Sequence, residues 1–122
     1  GDQMIIDGPL SPLDLQDLVN EFRNAGAEAL ALNGHRIVVN SVFVAGERGG
    51  MMFDGQTIRR PFQLQAIGDP DTMETALMRP GGLVSMLQRA YPNLVVTCTP
   101  QPRLVLSVCR HPLPVQYAEP IE

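Results

Sequence analysis

An α+β fold, with helices on one face of a mostly antiparallel sheet, follows from three observations. Leu15, Leu18, Val19, Phe22 and Ala25 recur at helical spacing and make one apolar face, which stops at Gly26. Directly after it, Leu30-Ala31-Leu32 and Asn33-Gly34 read as a strand and a two-residue hairpin turn. Later, Phe62, Leu64 and Ala66 alternate with Gln63, Gln65 and Ile67, the period of a half-buried strand.

Taken in order, Met4-Ile5-Ile6 is a brief first strand. Ser11 is a good helix N-cap, Pro12 suits the first helical position, and Asp14 complements the helix dipole. After the Asn33-Gly34 turn, Ile37-Val38-Val39 and Val42-Phe43-Val44 read as strand, with Asn40-Ser41 a bulge or kink between them. Gly46 to Gly50 is a flexible corner. Met51-Met52-Phe53, Asp54-Gly55 and Thr57-Ile58 form a second hairpin, and Pro61 marks the start of the next strand or a bulge.

A second helix opens at Asp69-Pro70-Asp71, with Met73, Ala76 and Leu77 inward. Arg79-Pro80-Gly81-Gly82 breaks it, and Leu83, Met86, Leu87 and Tyr91 resume the helical period. Leu94 to Cys98 closes the sheet, and Arg103 to Val108 returns as a further strand beyond a tight turn at Pro100-Gln101-Pro102-Arg103. This order is that of a ferredoxin-like plait, two helices on one face, with an inserted β-hairpin. It predicts a single domain over 1–109 and an extended, proline-containing tail over 110–122.

Composition bounds the function. The chain has 122 residues, enough for one core without a metal or disulfide staple. No apolar run approaches the ~18 residues that span a bilayer, and Gly1-Asp2-Gln3 does not open a signal peptide. A net charge of −4 argues against a nucleic-acid surface. All nine cationic residues are Arg, so Schiff-base and P-loop lysine chemistry are excluded. Cys98 and Cys109 fit neither a zinc site nor a redox motif. The tight turn would set Cys98 opposite about Val105, so register opposes a Cys98–Cys109 bond and favours free thiols. No metal or cofactor is expected.

Several residues could carry chemistry, and each also has a structural reading. His35 follows a turn with no nucleophile or carboxylate motif nearby, the pattern of an exposed turn residue rather than a base. His111 lies in the tail. Asn33, Arg36, Asn40 and Ser41 cluster at strand ends, where turn chemistry explains most of them; Arg36 could also hold a carboxylate or phosphate bidentately. Arg79 with Gly81-Gly82 could hold an anion at a helix start, or let one helix stop and another begin. Asp69, Asp71 and Glu74 read as capping rather than calcium ligation. None of Ser11, Ser41, Ser85 and Ser107 sits in a G-x-S-x-G context.

Met51, Met52 and Phe53 differ in kind. Strand side chains alternate, so three large apolar residues in a row cannot all face one core. Either one of them points outward as a partner surface, or a helix covers the second face.

The order Asp14-Leu15-Gln16-Asp17-Leu18-Val19-Asn20, Ala25-Gly26-Ala27-Glu28-Ala29, Asn33-Gly34 with Arg36, Ala66-Ile67-Gly68-Asp69-Pro70 and Pro80-Gly81-Gly82 resembles the YlxW-type family. Its members are bacterial envelope proteins, some labelled division initiation proteins, others a domain of unknown function. The resemblance implies a membrane anchor and linker ahead of a domain outside the cytoplasm, with a ferredoxin-like plait and no catalytic mechanism. Two departures stand out: the first strand is reduced to Met4-Ile5-Ile6, and the tail with Cys109 and His111 matches no family landmark. The expectation is a non-enzymatic interaction module whose partners are envelope or division proteins or a second copy of itself. The alternatives are a sensor of an anionic cell-wall fragment through Arg36 or Arg79, and an enzyme.

Overall fold

A computed structural model describes residues 1–101 and shows a mixed α+β fold with two antiparallel sheets and three helices. The larger sheet contains β1 (Asp2–Asp7), β2 (Ala29–Leu32), β3 (His35–Ile37), β7 (Phe62–Ile67) and β8 (Val95–Pro100), in the order β3-β2-β7-β1-β8. The smaller sheet is β4 (Phe43–Ala45), β5 (Met51–Phe53) and β6 (Gln56–Ile58), in that order. The helices are α1 (Pro12–Asn24), α2 (Pro70–Met78) and α3 (Leu83–Ala90).

The first strand is longer than its apolar core suggested. Asp2, Met4 and Ile6 alternate inward; Asp2 to Ile6 pair with β7 on one side, and all six residues pair with β8 on the other. It is a central strand. Its ends were missed because Asp2 and Asp7 are polar.

The start of α1 is a full capping box. Ser11 Oγ accepts from the Asp14 N–H at 3.1 Å, and Asp14 Oδ2 accepts from the Ser11 N–H at 2.9 Å. The same Asp14 oxygen accepts from the Tyr91 hydroxyl at 2.6 Å, tying α1 to the end of α3. That bond raises the Tyr91 pKa. Ser11→Ala is expected to lower stability by about 1 kcal/mol in urea unfolding. At the other end, Gly26 takes φ +98°, the Gly26 N–H donates to Arg23 O and the Ala27 N–H to Phe22 O. This is a Schellman closure, which turns the chain straight into β2.

Asn33 (φ +49°) and Gly34 (φ +84°) make the expected hairpin turn, as do Asp54 (φ +50°) and Gly55 (φ +77°) between β5 and β6. The segment around Asn40-Ser41 is not a bulge within one strand. The Ser41 N–H donates to Val38 O and the Val38 N–H to Ser41 Oγ, forming a turn that hands the chain from the larger sheet to the smaller one. The inserted hairpin is therefore a three-stranded sheet.

The second helical region is two helices. Arg79 is extended (ψ 145°), as a residue before proline prefers, and Gly81 adopts φ +78°. The restart resets the helical phase: Val84 and Leu87 face inward, and Met86, expected inward, is exposed. Pro100 ends β8, and Gln101 exchanges hydrogen bonds with Gly1, which extends the ladder by one residue; the expected turn over 100–103 runs beyond the described residues. The proposed strand over 103–108, Cys109, His111 and the 109/110 boundary lie outside the described residues.

One core unites both sheets. Met4, Ile6, Leu15, Leu18, Phe22 and Leu64 from the larger layer join Phe43, Met51, Phe53 and Ile58 from the smaller sheet in a single buried cluster.

Candidate functional site

Four places carry chemistry worth building up. The first is the outer face of the smaller sheet. Its inner face is closed, with Phe43, Met51, Phe53 and Ile58 all buried. Phe53 packs on Phe43 at 5.1 Å between ring centroids and meets the His35 ring edge-on at 6.4 Å. Alternation then sends Met52 outward, 38% exposed. The register pairs Met52 with Val44, itself 49% exposed, and Val42 lies two residues earlier along the same chain at 64%. Of the three residues singled out from sequence as a partner surface, Met52 is on the surface, whereas Met51 and Phe53 are core.

The second is a cleft of about 320 Å³ where the end of α1 meets β2 and β3. Arg23, Glu28 and Arg36 contribute its charges, and Ala27, Leu30, Ile37 and Val39 its apolar walls. One Arg23 guanidinium N–H donates to Val38 O at 3.1 Å. Sequence reasoning found Arg36 but missed Arg23 and Glu28, which read as ordinary helix-end and loop charges. Arg79 is not part of this cleft. It caps α2, and its carbonyl accepts from the Gly82 N–H and the Ser85 hydroxyl.

The third is the Asn33–Ser41 region. The Asn33 side chain is used by the fold: Nδ2 donates to Arg59 O (3.0 Å) and Pro61 O (3.4 Å), and Oδ1 accepts from the Gln63 N–H (2.7 Å). Ser41 is buried, accepts from Val38 N–H, and donates to Asp54 Oδ2 at 2.6 Å, bolting the inter-sheet turn to the β5–β6 hairpin. Asn40 is exposed beside it. His35 is half-buried in β3 against Phe53, a correction to its reading as an exposed turn residue.

The fourth had no sequence signal. Asp2 is fully buried on the inner face of β1, and its carboxyl meets that of Glu74 from α2. Burial foremost, then the Glu74 carboxyl, pushes Asp2 from an ordinary 3.8 to about 7. Glu74 is thus not part of the α2 cap. Asp69 is the N-cap, its pKa lowered by the Thr72 hydroxyl and N–H, and Asp71 puts negative charge in the first turn. Cys98, from β8, is half-buried nearby; burial, with the charges of Asp2 and Glu74, pushes its thiol up to about 12. A thiol so hard to ionise is a poor nucleophile. Among the described residues, no group of three or more His, Cys, Asp and Glu is placed to hold a metal ion.

Together these features define a small α+β module in which most polar clusters serve the chain's own architecture. The family described as "Bacterial protein of unknown function (DUF881)" matches residues 2–119, and the chain belongs to it. The UPF0749 protein Rv1825 of Mycobacterium tuberculosis is 34% identical over 128 residues, which cover 100% of this chain and 43% of that protein. The UPF0749 protein YlxW of Bacillus subtilis is 37% identical over 70 residues, 57% of this chain and 30% of that protein. The chain thus spans less than half the length of these curated relatives. A solved structure, described as that of an uncharacterized conserved protein from Mycobacterium tuberculosis, superposes with a TM-score of 0.81 at 31% identity. The match covers 99% of this chain and 87% of that one. The resemblance to YlxW-type proteins read from the landmarks between Asp14 and Gly82 is thereby shown.

Proposed function

We propose that this chain is a non-enzymatic interaction module, the extracytoplasmic domain of a membrane-anchored bacterial envelope protein linked to cell division or cell-wall synthesis. Its docking surface is the outer face of the smaller sheet. One observation carries this reading: Val44 and Met52 stand exposed on a sheet whose other face is fully packed, with Val42 exposed just ahead of β4. An apolar stripe on a small rigid sheet is suited to a protein partner, and methionine adapts to the shape it meets. No described helix is long and apolar enough to cross a membrane; on this reading the anchor is the one the family resemblance implies, ahead of this domain. The framework under the docking sheet is proposed to be a ferredoxin-like plait. The order β2-β7-β1-β8 supports this, with α1 linking β1 to β2 and the α2–α3 pair linking β7 to β8.

The test uses the full-length protein in its membrane, with a photo-crosslinking residue at Val44 and the substitution Met52→Asp. Crosslinks to one defined protein, or to a second copy, are expected, and Met52→Asp should weaken that association at least about tenfold, equivalent to 1.4 kcal/mol. Unchanged association, with unchanged circular dichroism, would rule this face out.

A second reading rests on the cleft. Arg23 and Arg36 both line it, which suits an anionic group such as a carboxylate of a cell-wall fragment. Arg36→Ala should abolish binding of such a fragment in calorimetry if this reading holds. Equal binding by the variant would end it.

A further inference from the structure

We propose that Asp2 and Glu74 form a proton-dependent latch: a shared proton fastens α2 to β1, and its loss loosens the helix from the end of the sheet. The observations are geometric. Asp2 is 0% exposed, and only its Oδ1 is satisfied, by the Gln3 N–H at 3.0 Å. Its Oδ2 and the Oε2 of Glu74 are both buried without a hydrogen-bond partner. Two carboxyl oxygens brought together with no donor between them are mutually repulsive when ionised, and a proton on one turns the contact into an O–H···O⁻ bond. The proton comes from solvent and returns to it.

The surroundings leave this pair as the group that responds. From β8, the Cys98 thiol faces it and stays protonated through the neutral range. Gly1 donates its N–H to Gln101 O, and burial together with the Glu74 carboxyl holds the Asp2 value up. From β7, the residue opposite Asp2 is Ala66, which does not titrate. Asp2 in the folded chain holds its proton to about 7, against an ordinary 3.8. The folded state therefore binds the proton more tightly than the unfolded one. Stability is greatest below the unfolded value, falls as pH rises towards 7, and is level above it. Because α2 also packs on α1 and α3, the latch sets how firmly the helical cover sits over β1 and β8.

The experiment follows thermal unfolding of the full-length protein and its Asp2→Asn variant from pH 5 to pH 9, with hydrogen exchange of the α2 amides. Asparagine fills the same space and donates to Glu74 at every pH. The wild type should lose about 5 °C of Tm between pH 5 and 8. Its α2 amides should exchange about tenfold faster than the intrinsic pH effect explains. Asp2→Asn should show neither change. Matching pH profiles for the two proteins would overturn the latch. Should the variant not fold, carboxyl NMR of the wild type reads Asp2 directly: a midpoint near 7 supports the latch, and one near the usual ~4 overturns it.

Discussion

Phe53→Ala is expected to lower the free energy of unfolding by about 3–4 kcal/mol, whereas Met52→Asp, one residue away, should change it by less than about 0.5 kcal/mol. Phe53 is 2% exposed, packs on Phe43 within the smaller sheet and meets His35 of the larger one. Truncation removes the aromatic contacts and leaves a cavity that neighbours on a three-residue strand can only partly fill. Met52 shares that strand but points to solvent, so a carboxylate there remains hydrated. Urea unfolding of both variants checks the pair of values. A comparable loss from Met52→Asp would mean that the outer face of the sheet is covered within the folded chain, and would remove the ground for docking there. A negligible loss from Phe53→Ala would mean that the smaller sheet is not anchored through this ring.

The contrast between these adjacent residues also marks where sequence was informative. Alternation requires one of Met51, Met52 and Phe53 to leave the core, and the structure sends out Met52. Both capped helix starts, Ser11-Pro12 and Asp69-Pro70, and both Asn-Gly and Asp-Gly turns were legible because each depends on local chemistry within four residues. What local pattern could not show was the partition of strands between two sheets. Ile37 to Val44 looks like one kinked strand; the turn bonds between Val38 and Ser41 break it, and the bond from Ser41 to Asp54, thirteen residues on, fixes the handover to the smaller sheet. The extent of β1 and the pairing of Asp2 with Glu74 were hidden for the same reason. A buried carboxyl reads as a surface residue until a second one, far along the chain, is brought to it by α2. Arg36 and Arg79, each a candidate anion ligand from sequence, belong to different parts of the molecule: one lines the cleft at β3, the other caps α2.

Asn33 was read as a candidate ligand contact, and its substitution separates that role from architecture. Asn33→Ala is expected to cost about 2 kcal/mol of stability. Part is backbone strain, since alanine at φ +49° enters the left-handed region at roughly 1 kcal/mol. The rest is the loss of the side-chain bonds to Arg59 O, Pro61 O and the Gln63 N–H, worth about 1 kcal/mol or a little more after exchange with water. Asn33→Gly keeps the turn conformation and loses only those bonds, so it should cost less than Asn33→Ala by about the strain term. Urea unfolding of the two variants measures both parts. Binding at the neighbouring cleft is the control: Asn33 is not among its walls, so Asn33→Gly should leave the affinity of any Arg36-dependent ligand unchanged under conditions where the protein is folded. A variant with intact stability but lost binding would return Asn33 to the site. Lost stability with intact binding would place it wholly in the frame that fixes β2, β3 and the start of β7 relative to one another.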